Sequence, residues 1–385
     1  MQYRRFGALD WQVSALGFGC MRLPTSDGQP MSPQIDEPEA IRMIRRAIDA
    51  GVNYVDTAYP YHAGASEVVV GKALRDGYRE KVRLATKSPT WFLTAPGDFD
   101  KYIAEQLARL QTDHIDFYLL HALDKARWND TVLRLGVLER AEAAIRDGRI
   151  GWLGFSFHDD ADAFRTIVDG FDRWTFCQVQ YNYMDIENQA GTAGVRHAAA
   201  KGLAVVIMEP LLGGRLANQP RRIREILDRR APGRSPADLA LQWVWDQPEV
   251  SVVLSGMTAM PQVEENLASA ANAAVGALTA ADRELIAELR AAYLAGNPIP
   301  CTKCSYCQPC PNGVEIVRNF ELYNDGFIHE DVRTSRRVYT IFLAEGQRGG
   351  ACLACRACEE LCPQKIPISD WLKKVHAVLA EDQPY

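Results

Sequence analysis

The sequence predicts a closed (β/α)8 TIM barrel followed by a small, mainly helical C-terminal domain, with bounds at 1–296 and 297–385. Three observations carry this. Eight short apolar runs alternate with amphipathic stretches from residue 13 to about residue 270. The glycine fingerprint expected of an open dinucleotide-binding sheet is incomplete, because "GFGCMR" supplies only its first two glycines. Of ten cysteines, only Cys20 and Cys177 precede residue 300, and the other eight crowd the end of the chain.

The eight runs, in order, are "VSALGFGC" (13–20), "VNYVDTA" (52–58), "VRLATK" (82–87), "IDFYLL" (115–120), "GWLGFS" (151–156), "TFCQVQ" (175–180), "LAVVIME" (203–209) and "VSVVLSG" (250–256). Between them lie helical patterns such as "EPEAIRMIRRAIDAG" and "FDKYIAEQLARL". The first has Pro38 near its start and Gly51 just past its end, where each residue is favoured. A parallel strand needs a crossover helix to return, so eight such units fit a closed barrel. Residues 279–294 read as one more helix, and "AGNPIP" as a turn or linker. In the tail, "VEIVRNFELYNDGF", "DVRTSRRVYTIFLAEG" and "ISDWLKKVHAVLAE" read as helices. A segment this short makes little core alone, and a metal centre would help to hold it together.

The tail cysteines fall in two runs. Cys352, Cys355, Cys358 and Cys362 follow C-x2-C-x2-C-x3-C-P, the bacterial ferredoxin pattern for a [4Fe–4S] cluster. Cys301, Cys304, Cys307 and Cys310 follow the same pattern with one residue fewer before the last cysteine. In two-cluster ferredoxins the fourth cysteine of each run reaches the other cluster. On that pattern Cys301, Cys304, Cys307 and Cys362 hold one [4Fe–4S] cluster, and Cys352, Cys355, Cys358 and Cys310 hold the second. Two four-cysteine zinc sites are the competing reading. Zinc does not predict a proline after the fourth cysteine of both runs, and the spacing favours iron–sulfur. Cys20 and Cys177 lie in predicted strands and read as buried small hydrophobes.

A net charge of −6 leaves no basic surplus for nucleic acid. No segment approaches the ~20 apolar residues of a membrane span, and the N-terminus carries no apolar signal region. The expectation is a cytoplasmic protein without nucleic-acid or membrane partners, in a compartment where clustered cysteines argue for metal.

In a barrel of this kind the chemistry sits at the C-terminal strand ends. There the sequence places Asp56, Lys87 and His121 on three consecutive strands, with Tyr61 in the loop after Asp56. A lysine cation beside the phenol is expected to lower the tyrosine pKa from its usual value near 10, giving a proton donor. Asp56 would hold the lysine, and His121 would donate a hydrogen bond to a substrate oxygen.

"GVNYVDTAYPYHAGASE", "RLATK", "IDFYLLH" and "IGWLGFS" together resemble the aldo/keto reductase family over roughly residues 1–290. The tail resembles the ferredoxin-like extension of one branch of it. The resemblance implies a barrel that reduces a small-molecule carbonyl with NADP or NAD as the cofactor, with Asp56, Tyr61, Lys87 and His121 as the catalytic tetrad. It places Ser156 and Gln178 at the nicotinamide carboxamide. Pro210, Leu211, Gly213 and Gly214 would lie along the pyrophosphate, and Ser255, Gly256, Gln262, Glu265 and Asn266 near the adenosine. Three departures stand out: Phe157 replaces an asparagine, Met208 a stacking aromatic, and Thr258 a cation for the 2′-phosphate. The arginine-rich stretch 220–234 would supply that charge or form a solvated helix face. Arg22 is a candidate for a substrate carboxylate, and Trp91, Phe92 and His62 for the pocket lining.

Nicotinamide passes electrons in pairs and an iron–sulfur cluster singly, so exchange between them needs an intermediary such as a flavin. The first reading is therefore a carbonyl reductase with two clusters used structurally or in another step. The alternative joins barrel, flavin and clusters in one path to a ferredoxin-like electron partner. A non-enzymatic metal-binding or interaction protein on a barrel scaffold is the third reading, and the complete tetrad argues against it.

Overall fold

The structure, a computed structural model, describes residues 1–301 and 305–384. Ten strands are assigned among these residues: β1 (Tyr3–Arg5), β2 (Gln12–Ser14), β3 (Leu16–Gly19), β4 (Tyr54–Asp56), β5 (Arg83–Ser88), β6 (Ile115–Leu123), β7 (Ile150–Phe157), β8 (Phe176–Gln180), β9 (Ala204–Met208) and β10 (Val250–Gly256). The last eight close a parallel barrel in the order β10-β3-β4-β5-β6-β7-β8-β9. The alternation of strands and crossover helices in the sequence thus produces the barrel.

The first apolar run divides in two. Its start, Gln12–Ser14, pairs antiparallel with Tyr3–Arg5, and only Leu16–Gly19 enters the barrel. The break falls where Ser14 turns from the hairpin, its backbone N–H donating to Asn53 Oδ1 and its hydroxyl to the Leu16 carbonyl. The hairpin delivers Phe6 and Val13 to a barrel-interior cluster that includes Tyr54, Phe117, Phe176, Val206 and Val252. Phe6 and Phe117 ring centroids lie 4.6 Å apart, and Phe117 also meets Phe176 at 5.2 Å. The centre is therefore packed with side chains, as expected of such a barrel.

The outer helices bury one face each. In Glu37–Asp49, Ala40, Met43, Ile44, Ala47 and Ile48 are buried, and the Asp36 side chain accepts from the Glu39 N–H at the start. Asp98–Leu110 buries Phe99, Ile103, Gln106 and Leu110. A glutamine on that apolar face needs hydrogen-bond partners, and it finds them behind β5.

The chain divides into two compact units, Met1–Ala217 with Ser235–Ala280, and Asn218–Arg234 with Ala281–Tyr385. The second contains the helices Ile316–Ile328, Val332–Phe342 and Ile368–Ala380, packed about Phe320, Tyr323, Tyr339, Leu372 and Val375. It also takes in the helix Arg221–Arg230 and nearly all of Ala280–Ala295. Ion pairs join the two segments: Arg229 to Glu288 at 3.1 Å, and Arg234, just beyond the first helix, to Asp282 at 2.6 Å. No described helix is long and apolar enough to cross a membrane.

Candidate functional site

Strand register decides what meets at the barrel mouth. Asp56 ends β4 opposite Ala85, and Lys87 lies two residues further along β5, opposite Leu119 of β6. Lys87 is wholly buried, an arrangement tolerated only with partners. Its Nζ donates to Asp56 Oδ1 at 2.6 Å and to the Thr57 carbonyl at 2.7 Å, and lies 3.3 Å from the Tyr61 hydroxyl. All three of an ammonium's donor directions are used. His121 meets the Tyr61 ring edge-on at 5.9 Å and the Trp91 ring at 5.0 Å. Its Nδ1 is buried without a hydrogen-bond partner, as is Asp56 Oδ2.

The electrostatics differ from the sequence expectation at one point. Burial lifts the Tyr61 pKa above its ordinary value; Lys87 opposes this but does not reverse it. Neighbouring charge lowers the phenol's pKa as anticipated, but exclusion of water from the site is the larger effect. Burial also raises the Asp56 carboxyl against the pull of Lys87. Burial disfavours the Lys87 ammonium, yet Asp56 and Tyr61 outweigh it, and Lys87 ends above its ordinary value. His121 is held well below its usual range by burial, then by Lys87, His158 and Arg127, and is neutral at neutral pH.

Behind Lys87 lies a polar layer that the sequence reading did not anticipate. Glu67 Oε1 accepts from Thr86 Oγ1 at 2.7 Å and Gln106 Nε2 at 2.6 Å, and Oε2 from Arg109 at 3.2 Å. Gln106 Nε2 also donates to the Lys87 carbonyl at 3.1 Å, while its Oε1 accepts from Tyr118. The layer fixes the β5 backbone at the lysine. Its signal in the sequence is Gln106, a polar residue spaced with Phe99, Ile103 and Leu110.

Ser156 and Gln178 face each other at one register step, β7 to β8, and both are buried. Ser156 Oγ accepts from the Ala122 N–H at 2.7 Å, which leaves its own proton to give. Gln178 Nε2 approaches Met208 Sδ at 3.8 Å, and its Oε1 is buried without a partner. Phe157 turns into the core against Phe164. Pro210 is buried and Leu211 half-buried; Leu212, Gly213 and Gly214 carry φ of +49°, +67° and +99°, a left-handed run that suits the two glycines. Ser255 Oγ accepts from Asn266 Nδ2 at 2.9 Å. Gln262 Oε1 accepts from the Thr258 N–H at 2.7 Å, and exposed Glu265 bonds to Ser235.

Trp91 and Phe92 are exposed beside one another at the end of β5. His62 is fully buried, with Nδ1 2.6 Å from the Ser32 carbonyl and Nε2 accepting from the Leu23 N–H. It ties the loop after β3 in place and does not line an open pocket. The helix Arg221–Arg230 makes ion pairs with acids of its own unit, as described above.

In the second unit the thiols line two cavities. Cys301, Cys307 and Cys362 share one with Ile316, Phe320, Ile366 and Ile368. Cys310, Cys352, Cys355 and Cys358 share the other with Ile316, Leu353 and Leu372. Each cavity draws cysteines from both runs. Cys304 lies outside the described residues. Among the described residues no three His, Cys, Asp or Glu side chains gather tightly enough for a single metal ion. Cys20 and Cys177 are buried, and burial pushes the Cys177 thiol up to about 12.

Two family profiles match the chain. The "Aldo/keto reductase family" profile matches residues 15–289, and "4Fe-4S dicluster domain" matches 300–366. The chain is similar to "Probable aldo-keto reductase 1" of Glycine max, 28% identical over 305 residues, covering 69% of this chain and 84% of that one. It is also similar to "Uncharacterized oxidoreductase YrpG" of Bacillus subtilis (strain 168), 25% identical over 311 residues, covering 69% and 90%. Among solved structures it resembles the holo form of aldo-keto reductase AKR11C1 from Bacillus halodurans, with a TM-score of 0.61 and 28% identity over 75% of this chain and 96% of that one. A thermostable aldo-keto reductase, Tm1743, shares the fold at a TM-score of 0.63 and 23% identity, over 75% and 100%.

Proposed function

The chain belongs to the aldo/keto reductase family and carries a 4Fe-4S dicluster domain, and on that premise we propose that it reduces an aldehyde or ketone to an alcohol with NADPH or NADH. The observation that carries this reading is the buried Lys87 ammonium held at once by Asp56, the Thr57 carbonyl and the Tyr61 hydroxyl.

The residues present fit a nicotinamide dinucleotide. Gln178 Oε1, buried and unpartnered, is an acceptor for a carboxamide N–H, and Ser156 has a hydroxyl proton to donate. Gly213 and Gly214 bring no side chain to obstruct a diphosphate passing this loop. When bound, the reduced nicotinamide supplies a hydride to the carbonyl carbon. Tyr61, protonated across neutral pH because burial raises its pKa, gives its O–H proton to the carbonyl oxygen. Lys87 stabilises the phenolate left behind, and Asp56 keeps Lys87 in place. Neutral His121 offers one ring N–H to orient the oxygen and does not compete as the acid. Solvent returns the proton to Tyr61.

Cys301, Cys304, Cys307 and Cys362 would hold one [4Fe–4S] cluster, and Cys310, Cys352, Cys355 and Cys358 the second. Support comes from the two cavities, each lined by cysteines of both runs together with apolar side chains such as Ile316, Phe320 and Leu372. These clusters would carry electrons singly or brace the small domain.

The test is anaerobic purification with iron, sulfide and flavin assays, followed by NADPH oxidation with a panel of aldehydes. Carbonyl-dependent oxidation that disappears in Tyr61→Phe supports the reading. Reduced-cluster EPR on adding NADPH without a carbonyl, together with bound flavin, would replace it with the coupled electron path.

A further inference from the structure

The cavity lined by Cys310, Cys352, Cys355 and Cys358 also contains Ser369, at the start of the helix Ile368–Ala380. Glu359, on the short helix Ala357–Leu361 that carries Cys358, accepts from the Ser369 N–H at 2.9 Å. That bond ties the serine to the cysteine segment. Ser369 is 5% exposed, and its hydroxyl oxygen is buried with no hydrogen-bond partner. A hydroxyl has one proton to donate, and leaving it unpaired away from water is costly. The cavity is the space it has to donate into.

The other polar side chains around this cavity have partners. Asn312 Nδ2 donates to the Ala351 carbonyl, and exposed Arg356 pairs with Asp370 at 3.6 Å. Donation to sulfur already occurs in the same loop, where the Ala354 N–H gives to Cys352 Sγ at 3.4 Å. The cavity of Cys301, Cys307 and Cys362 is different. Among the described residues its polar side chains other than cysteine are Ser305 and Gln364, both exposed, and its remaining wall is apolar. Ile316 borders both cavities. The two are therefore neighbours with unequal surroundings.

We propose that the Ser369 hydroxyl donates a hydrogen bond to sulfur of the cluster held by Cys310, Cys352, Cys355 and Cys358, and so makes that cluster the more easily reduced of the two. The inference rests on the two-cluster reading above and adds to it a residue and an order of potentials. Reduction adds one electron, and hence negative charge, to a cluster. A donor to its sulfur stabilises that charge and raises the potential. Solvent acts in the same direction, and Leu353 and Cys355 at this cavity are exposed.

Potentiometric titration of the anaerobically purified protein, followed by EPR, gives the two potentials in the wild type, Ser369→Ala and Ser369→Thr. Ser369→Ala is expected to shift the one-electron equilibrium of the higher-potential cluster about 10-fold, a fall of about 59 mV, and to leave the lower potential in place. Ser369→Thr keeps the hydroxyl and should restore most of the loss. The sign separates this from a packing role, since a shorter side chain that admits water would raise the potential. An unchanged higher potential, a rise in it, or an equal fall in both would overturn the proposal while leaving the two clusters intact. Ser369→Gly, also without the hydroxyl, serves if the alanine variant takes up no iron. Failure of both to load would overturn the proposal too, by making Ser369 a requirement of assembly. A wild type without iron and sulfide would overturn the two-cluster reading and this proposal with it.

Discussion

Replacing Lys87 by methionine tests the centre of the site, because the magnitude can be worked from its geometry. The Lys87 ammonium lies 3.3 Å from the Tyr61 hydroxyl. At an effective dielectric constant near 20, unit charges at that distance attract by about 5 kcal/mol. If about half the phenolate charge has developed in the transition state, Lys87 contributes roughly 2.5 kcal/mol, or nearly a 100-fold change in rate. Lys87→Met is expected to lower kcat for carbonyl reduction by about two orders of magnitude with little change in dinucleotide Kd. The substitution also strands the Asp56 carboxylate in a buried setting, which costs about 3–5 kcal/mol of stability and could obscure the result. The double variant Asp56→Asn/Lys87→Met removes both charges and controls for that, with circular dichroism and melting temperature as the check on folding. A folded Lys87→Met or double variant with kcat within about 3-fold of wild type would refute the assignment of Lys87 as the group that stabilises the Tyr61 anion.

Three further outcomes follow from the same structure. Since burial raises the Tyr61 pKa, the reducing form is its protonated one, and kcat for reduction should stay level through neutral pH and fall only above the ordinary tyrosine value near 10; a pH–rate profile that falls between about pH 6 and 8 would point to a different acid. Gln106→Leu leaves Glu67 Oε1 with one donor fewer and the Tyr118 hydroxyl without its acceptor, and should lower unfolding free energy by about 2–4 kcal/mol in urea titration; a loss below about 0.5 kcal/mol would mean that water replaces the side chain. Cys362→Ser should remove one of two clusters and so about half the iron, although Cys362 comes from the run that supplies the other cavity; iron content at the wild-type level would reject that ligand assignment.

Much of the barrel could be read in advance because its signals are local. Apolar runs and amphipathic stretches alternate along the chain, and strand direction follows from the need for a crossover between parallel neighbours. Residues at the ends of β4, β5 and β6 therefore appear in sequence as Asp56, Lys87 and His121 before any contact is known. The first strand was less legible. The run from 13 to 20 is continuous in hydrophobicity, and only pairing with Tyr3–Arg5 separates a hairpin arm from a barrel strand. The second unit likewise draws in Arg221–Arg230, whose arginines look like a solvated face until their acids on Ala280–Ala295 are seen.

The sequence by itself determined the number and direction of the barrel strands, the identity of the polar groups at their ends, and the cysteine spacing of the tail. Each depends on separations of a few residues along one element. Only the tertiary structure decided that Tyr61 has a raised pKa, that His62 is a buried tie to Ser32 and Leu23, that Gln106 backs Lys87, and that Arg22 lies over Gly213 and Gly256. Those outcomes depend on distance and on the exclusion of water, and both are set jointly by residues far apart in the chain. A lysine near a phenol is visible in the sequence; the dielectric between them belongs to the folded molecule.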